Sequence, residues 1–225
     1  MTRGFFITGT DTGVGKTLIA CALLHAFASA GRRVVGMKPV AAGATRTAAG
    51  LSNEDMVQLR AAANVEAPPE LVNPYCFEPP IAPHLAAAQA DVEIELDVIA
   101  QAYAALAARA EVVIVEGVGG WRVPLNAKQD SADLAVRLGL PVILVVGIRL
   151  GCINHALLTA HAIEERGLIF TGWIANRIDP RMPEADRNVI ALEQRLAAPL
   201  LGDIGYAAPP DPVRAAARLD LSALR

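Results

Sequence analysis

Phe5-Phe6-Ile7-Thr8-Gly9-Thr10-Asp11-Thr12-Gly13-Val14-Gly15-Lys16-Thr17-Leu18-Ile19-Ala20 is the stretch from which the rest of the chain is read. An apolar run of strand-forming residues stops at Gly9, and an apolar helical pattern starts at Lys16. Between them, glycines permit backbone angles that aim successive N–H groups inward, and the N-terminus of the following helix adds positive dipole. Such a loop cradles phosphate: Lys16 extends toward the β- and γ-phosphates and the Thr17 hydroxyl can ligate Mg²⁺. The strict pattern G-x-x-x-x-G-K-[ST] has Gly where this chain has Thr10, so the loop is a one-residue variant. Gly-Lys-Thr in register after a strand and before a helix separates it from an ordinary glycine-containing turn and implies that a nucleoside triphosphate binds.

Outward from this loop, short apolar runs alternate with helical patterns. The runs cover residues 5–8, 33–38, 112–115, 141–147, 169–175 and, more weakly, 200–204; the helical stretches cover 16–30, 53–63, 94–110, 131–138, 153–166 and 184–197. That alternation is the mark of βαβ units, and strands without polar alternation are expected when helices cover both faces. The fold expected is α/β: a doubly wound, mostly parallel sheet flanked by helices in a three-layer sandwich. Residues 39–52 and 67–83, rich in Gly, Thr and Pro, read as irregular loops within one domain spanning 1–225.

The chain has 225 residues with 20 Lys+Arg against 23 Asp+Glu, a net charge of −3, and its basic residues are scattered. Neither nucleic acid nor an anionic membrane surface is therefore an expected partner. The N-terminal apolar run is too short for a signal-peptide core, and no later run approaches a membrane span, so a cytoplasmic protein is expected. Cys21, Cys76 and Cys152 lack CxxC spacing and form no ligand cluster with the four histidines, which points away from a disulfide framework or a zinc site.

In a doubly wound sheet, ligands lie beyond the carboxyl ends of the strands, and polar residues recur there. Lys38 closes the second strand, Glu116 the third, and Asn176 follows the fifth. Glu116, behind four apolar residues and beside a phosphate cradle, is placed to hold Mg²⁺ directly or through water. Gly117, Gly119 and Gly120 let the backbone pass close to a ligand. Lys38 reads either as a solvated strand end or as a cation that neutralises charge developing in phosphoryl transfer, and the second reading is favoured. Asp55, in Ser52-Asn53-Glu54-Asp55, reads equally as a metal ligand or as an ordinary acid at a helix N-terminus. Gly151 precedes a helix whose free N–H groups suit a carboxylate. Cys152 has no basic partner fixed by spacing and reads as a residue opening that helix; His155, His25, His84 and His161 read as packing or capping.

Together these motifs resemble the dethiobiotin synthetase family. The resemblance covers most of the chain: Gly9-Thr10-Asp11-Thr12 with Gly15-Lys16-Thr17, then Lys38-Pro39-Val40-Ala41, Asn73-Pro74-Tyr75, Pro83-His84, Val115-Glu116-Gly117, Gly119-Gly120-Trp121, Leu150-Gly151-Cys152-Ile153-Asn154-His155-Ala156, Gly172-Trp173, Ala175-Asn176 and Leu200-Leu201-Gly202. It implies ATP as co-substrate, with Mg²⁺ held by Thr17, Asp55 and Glu116, and catalysis by Lys38 and Lys16. The nucleotide would be held by Thr12, Gly13, Val14, Gly15, Lys16, Thr17, Leu18, Asp55, Glu116, Gly117, Val118 and Gly119, with Asn176, Arg177, Gly205, Tyr206 and Ala207 around the purine. It also implies a substrate, 7,8-diaminopelargonic acid, at Thr12, Lys38, Ala42 and Gly119. Gly151, Cys152, Ile153 and Asn154 would receive the substrate carboxylate across a homodimer interface. The implied reaction takes CO₂ or bicarbonate through a carbamate and a carbamic-phosphoric mixed anhydride to a cyclic urea. Gly13, Ala42 and Gly205 stand where members of the family often carry Glu, a hydroxyl residue and Pro, departures that touch substrate affinity and nucleotide strictness.

The competing reading is a nucleotide-switched partition or positioning ATPase of the ParA/MinD type, whose loop resembles K-G-G-x-G-K-T. That register sets its signature lysine at Asp11, of opposite charge. An amidating synthetase of related fold would need an ammonia-generating domain for which the chain has no room.

Overall fold

The computed structural model describes residues 2–48 and 50–224. In chain order its elements are β1 (Arg3–Gly9), α1 (Lys16–Ser29), β2 (Val34–Met37), β3 (Val40–Ala42), β4 (Thr45–Thr47), β5 (Gly50–Ser52), α2 (Glu54–Ala62), α3 (Pro69–Val72), β6 (Tyr75–Phe77), α4 (Pro83–Gln89), α5 (Leu96–Ala107), β7 (Val112–Glu116), α6 (Ser131–Leu138), β8 (Val142–Gly147), α7 (Cys152–Glu165), β9 (Phe170–Asn176), α8 (Ala185–Glu193), β10 (Leu200–Ile204) and α9 (Pro212–Ala216), followed by a 3₁₀ turn at Ser222–Leu224.

Six strands form a parallel sheet in the order β10-β9-β8-β1-β7-β2. Side chains alternate across it. Phe6, Val113, Val115, Leu144, Val146 and Trp173 join the core on one face, and Phe5, Ile7, Val112, Ile114, Ile143, Val145 and Ile174 join the core on the other. Both faces of each central strand are dry, which is why these strands read as continuous apolar runs. The expected doubly wound α/β sandwich is what forms, and no helix among the described residues is long and apolar enough to cross a membrane.

The chain passes from β1 over β7 to the edge strand β2, then returns to β7 and crosses β1 to β8. The onward connections of the neighbouring strands β8 and β1 therefore leave in opposite directions, which marks the carboxyl edge of the sheet beside β1 as the position where such sheets bind ligands.

Both segments expected to be irregular loops contain short elements. In residues 39–52, β3 pairs in parallel with β6, and β4 with β5 makes an antiparallel hairpin. Residues 67–83 hold α3, β6 and the start of α4, with Pro69 and Pro83 in the first turns of α3 and α4. Three-residue strands are shorter than any recognisable period. Proline, read as a loop marker, here opens helices, where its missing N–H costs nothing. The C-terminal α9 was likewise unexpected, although Asp211-Pro212 carries a start signal: the Asp211 carboxylate accepts from Val213 N and Arg214 N.

Candidate active site

Gly15 caps α1 with φ 90°, ψ 31°, a left-handed conformation. A Cβ there would run into Asn176 Nδ2. The left-handed backbone angle calls for glycine, and the Asn176 side chain at the end of β9 occupies the space a Cβ would take. The Asn176 amide donates to Val14 O at 2.8 Å, which ties the end of β9 to the loop. Within the loop, Lys16 Nζ donates to Asp11 O at 3.0 Å. Burial, with the nearby Lys38 charge second, lowers the Lys16 ammonium from its usual 10.5 to about 8.

Thr17, Lys38, Asp55 and Glu116 come from four elements and meet at one point. Met37 of β2 and Val115 of β7 are register partners, so the residues that follow them, Lys38 and Glu116, emerge side by side. Lys38 Nζ lies 2.6 Å from Glu116 Oε1 and 2.8 Å from Asp55 Oδ2. Thr17 Oγ1 lies 2.9 Å from both Asp55 Oδ1 and Glu116 Oε1, with a single proton to serve the two. Asp55 satisfies both of its sequence readings. It sits in the first turn of α2, where its N–H donates to the Asn53 cap, and its carboxylate faces Thr17 and Lys38.

Burial alone would lower the Lys38 pKa, but Glu116 and Asp55 outweigh it and raise it, so the ammonium stays charged. Burial pushes the Glu116 carboxyl up, against the pull of Lys38. Burial would raise Asp55 as well, but Lys38 and the Thr17 hydroxyl hold it below its usual value.

One atom in this cluster is unspent. Glu116 Oε2 is buried and has no hydrogen-bond partner, a cost that a native site rarely carries without a purpose. A hydroxyl and two carboxylates, one of them with an orphaned oxygen, form a hard-oxygen donor set that fits Mg²⁺. Among the described residues no group of three His, Cys, Asp or Glu could hold a metal alone, so a cation here would complete its shell with water and phosphate oxygens.

The cluster forms the floor of a cavity of about 650 Å³ lined also by Thr12, Gly13, Gly15, Lys16, Ala42, Val118, Gly119, Val123 and a wall of Pro80, Ile81, Ala82 and Pro83. Other expected residues surround it without lining it. Val14 is buried in the core and Leu18 packs against the core on the α1 face. Gly117 lies behind the floor, where its carbonyl is 3.4 Å from Lys38 Nζ. Arg177 forms a two-pronged ion pair with Asp203 and reaches Asp186, contacts that hold its pKa above the usual arginine value. Tyr206 and Ala207 line a separate surface cavity of about 520 Å³ with Pro209, Pro210 and Arg214; Gly205 immediately precedes them.

Gly151, Cys152, Ile153 and Asn154 open α7 outside the cavity, with Gly151 left-handed at φ 91° and Cys152 buried. Cys152 opens the helix as expected. His155 and His161 are exposed on α7 rather than packed or capping, while His25 and His84 are half-buried. Sequence reasoning missed the ion pair between Arg149 Nη2 and Asp11 Oδ2, at 2.6 Å. It also missed the proline wall; in the sequence Pro83-His84 is a block of the resemblance and nothing more. Arg149 follows β8 as Lys38 follows β2, so its place at a strand end was the available signal.

A parallel sheet whose first strand runs into a Gly-Lys-Thr loop, with a carboxylate leaving the neighbouring strand toward the loop threonine, defines a P-loop nucleotide-binding protein. Solved structures share this fold at 17% identity, which speaks to architecture alone. MinD cell division protein of Aquifex aeolicus aligns with TM-score 0.55 over 92% of this chain and 83% of that one. MinD of Pyrococcus horikoshii, complexed with Mg-ADP, aligns with TM-score 0.53 over 96% and 93%. A family model described as an AAA domain matches residues 3–213. Two sequence relatives are far nearer, and both are named ATP-dependent dethiobiotin synthetase BioD. That of Aromatoleum aromaticum is 58% identical over 219 residues, 97% of each chain. That of Nitrosospira multiformis is 57% identical over 206 residues, 92% of this chain and 89% of its own. The chain belongs to the dethiobiotin synthetase family, the ATP-dependent ligases that make dethiobiotin in biotin biosynthesis.

Proposed function

We propose that residues 1–225 form one cytoplasmic synthetase domain that joins CO₂ to 7,8-diaminopelargonic acid and closes the ureido ring, converting ATP to ADP and phosphate. The observation that carries this reading is the convergence of Lys16, Thr17, Lys38, Asp55 and Glu116 on one cavity with an apolar wall. A triphosphate and a small aliphatic diamine can share such a space.

One amine adds CO₂ to give a carbamate, a carbamate oxygen attacks the γ-phosphorus with ADP leaving, and the second amine closes on the resulting mixed anhydride with release of phosphate. This chemistry needs positioning and charge neutralisation rather than a protein nucleophile. Lys16 leaves the Asp11 carbonyl for the β- and γ-phosphates. Lys38, kept charged by its two carboxylates, faces the oxygens on which negative charge grows. Thr17, Asp55 and Glu116 hold Mg²⁺, which when bound neutralises phosphate charge. Thr12, Ala42 and Gly119 contact the diamine. Asn176, Arg177, Gly205, Tyr206 and Ala207 surround the purine.

The functional unit in this reading is a homodimer in which Gly151, Cys152, Ile153 and Asn154 of one subunit present helix N–H groups to the substrate carboxylate in the other's cavity. Their position outside the chain's own cavity supports the exchange. The test is to mix enzyme, diamine, bicarbonate and Mg·ATP: ADP, phosphate and a cyclic urea should form in equal amounts. ATP hydrolysis indifferent to the diamine would contradict the proposal.

A further inference from the structure

Lys38 immediately follows the edge strand β2, so its main chain has no outer strand of the central sheet to bond to. The last residue of α3 and the segment after it take that role. Lys38 N donates to Val72 O at 2.8 Å, and Tyr75 N donates to Pro39 O at 3.2 Å. Between them, Asn73 Nδ2 donates to Lys38 O at 2.6 Å and to Tyr75 O at 3.0 Å. Asn73 is buried, and its Oδ1 has no hydrogen-bond partner. The amide orientation is nonetheless fixed, because a flipped amide would set Oδ1 against two carbonyl oxygens. A buried polar atom is thus left unsatisfied so that one N–H can hold the Lys38 carbonyl at the Lys38-Pro39 step and the other can tie it to Tyr75 O.

We propose that Asn73 is a positioning residue: by clamping the Lys38 carbonyl it sets where the Lys38 ammonium stands in the cavity. Asn73 does not line the cavity, and its link to the cavity is the Lys38 carbonyl it holds. Pro39 makes the clamp necessary, because it supplies no N–H of its own to anchor the turn. Asn73-Pro74-Tyr75, a block without an assigned role in the sequence, thereby gains one. The inference rests on the proposed reaction for its effect on turnover, but not for its effect on the Lys38 position.

The test uses the three lysines of the chain, Lys16, Lys38 and Lys128. Asn73→Leu removes both donors at similar volume, and the smaller Asn73→Ser is made alongside it; the variant that binds ATP as wild type does is the one read. Brief labelling with an amine-reactive reagent, mapped by mass spectrometry, reports each lysine against the exposed Lys128. Lys38 labelling should rise about fivefold or more with Lys16 unchanged, while kcat falls on the order of tenfold to a hundredfold and KM for ATP stays within about twofold. Tyr75→Phe, which removes a hydroxyl accepting from Glu95 N in the same segment, should change neither. Lys38 labelling at the wild-type rate, or Lys16 rising with it, overturns the proposal. Full activity of Lys38→Ala would instead sink the assignment of Lys38 in the reaction and leave the labelling result to decide the role of Asn73.

Discussion

Replacing Lys38 by Met removes an ammonium that lies 2.6 Å from Glu116 Oε1 and 2.8 Å from Asp55 Oδ2. The Lys38 and Glu116 side chains are 5% and 1% exposed, so water screens little of their attraction. Breaking a buried pair from one side costs about 3–5 kcal/mol, because the remaining charge is stranded. That is a large part of the roughly 5–15 kcal/mol that holds a typical domain folded. The Asp55 carboxylate is 35% exposed and adds little to the loss. Protonation sets the ceiling on the penalty. Burial already raises the Glu116 pKa, and without Lys38 it rises further, so the folded state holds a proton that the unfolded state has lost. Stability of the variant then falls as pH rises from the unfolded carboxyl pKa toward the folded one, more steeply than in wild type. Urea unfolding of the metal- and nucleotide-free protein at pH 5 and pH 8 measures both quantities. The loss should be larger at pH 8, and Lys38→Met with Glu116→Gln should recover part of it. A loss below about 1 kcal/mol at pH 8 would match a surface ion pair and refute the reasoning.

Four other outcomes are expected. Gly15→Ala forces a Cβ toward Asn176 Nδ2 at φ 90°; with roughly 1–2 kcal/mol of left-handed strain, ATP affinity should drop about tenfold by fluorescence titration, and an unchanged Kd would show that the loop tolerates a side chain. The Lys16 pKa of about 8 makes the charged form scarce in the free enzyme at high pH; ATP binding should weaken by about tenfold from pH 7 to pH 9, with proton uptake in calorimetry, and a flat profile contradicts this. Mg²⁺ should raise the Tm of Lys38→Met more than that of wild type, since the ammonium occupies oxygens a cation would use, and Glu116→Gln should abolish the Mg²⁺ effect. Arg149→Ala frees the Asp11 carboxylate from a half-exposed pair; urea unfolding should change by less than about 1 kcal/mol while KM for ATP rises, and unaltered kinetics would show that the pair does not steady the loop.

How much was legible follows from particular residues. Four apolar residues before Glu116 and the Gly-Lys-Thr register announced a buried strand end and a phosphate loop, because both signals are local and have a fixed period. Asp55 was undecidable in the sequence: an acid in a helix's first turn looks the same whether or not its carboxylate faces a threonine 38 positions earlier. The proline wall and the β3–β6 pairing were invisible, because three-residue strands have no period and prolines mark loops and helix starts alike.

The chain's local order thus determined the alternation of strands and helices, the phosphate loop and the charges at the strand ends, since each depends on neighbours within a few residues. Which of those charges touch was decided by the sheet order alone. Placing β7 between β1 and β2 sets Glu116 beside Lys38, 78 positions away, and within reach of Thr17. Contacts at that separation are fixed by packing, and no local pattern encodes them.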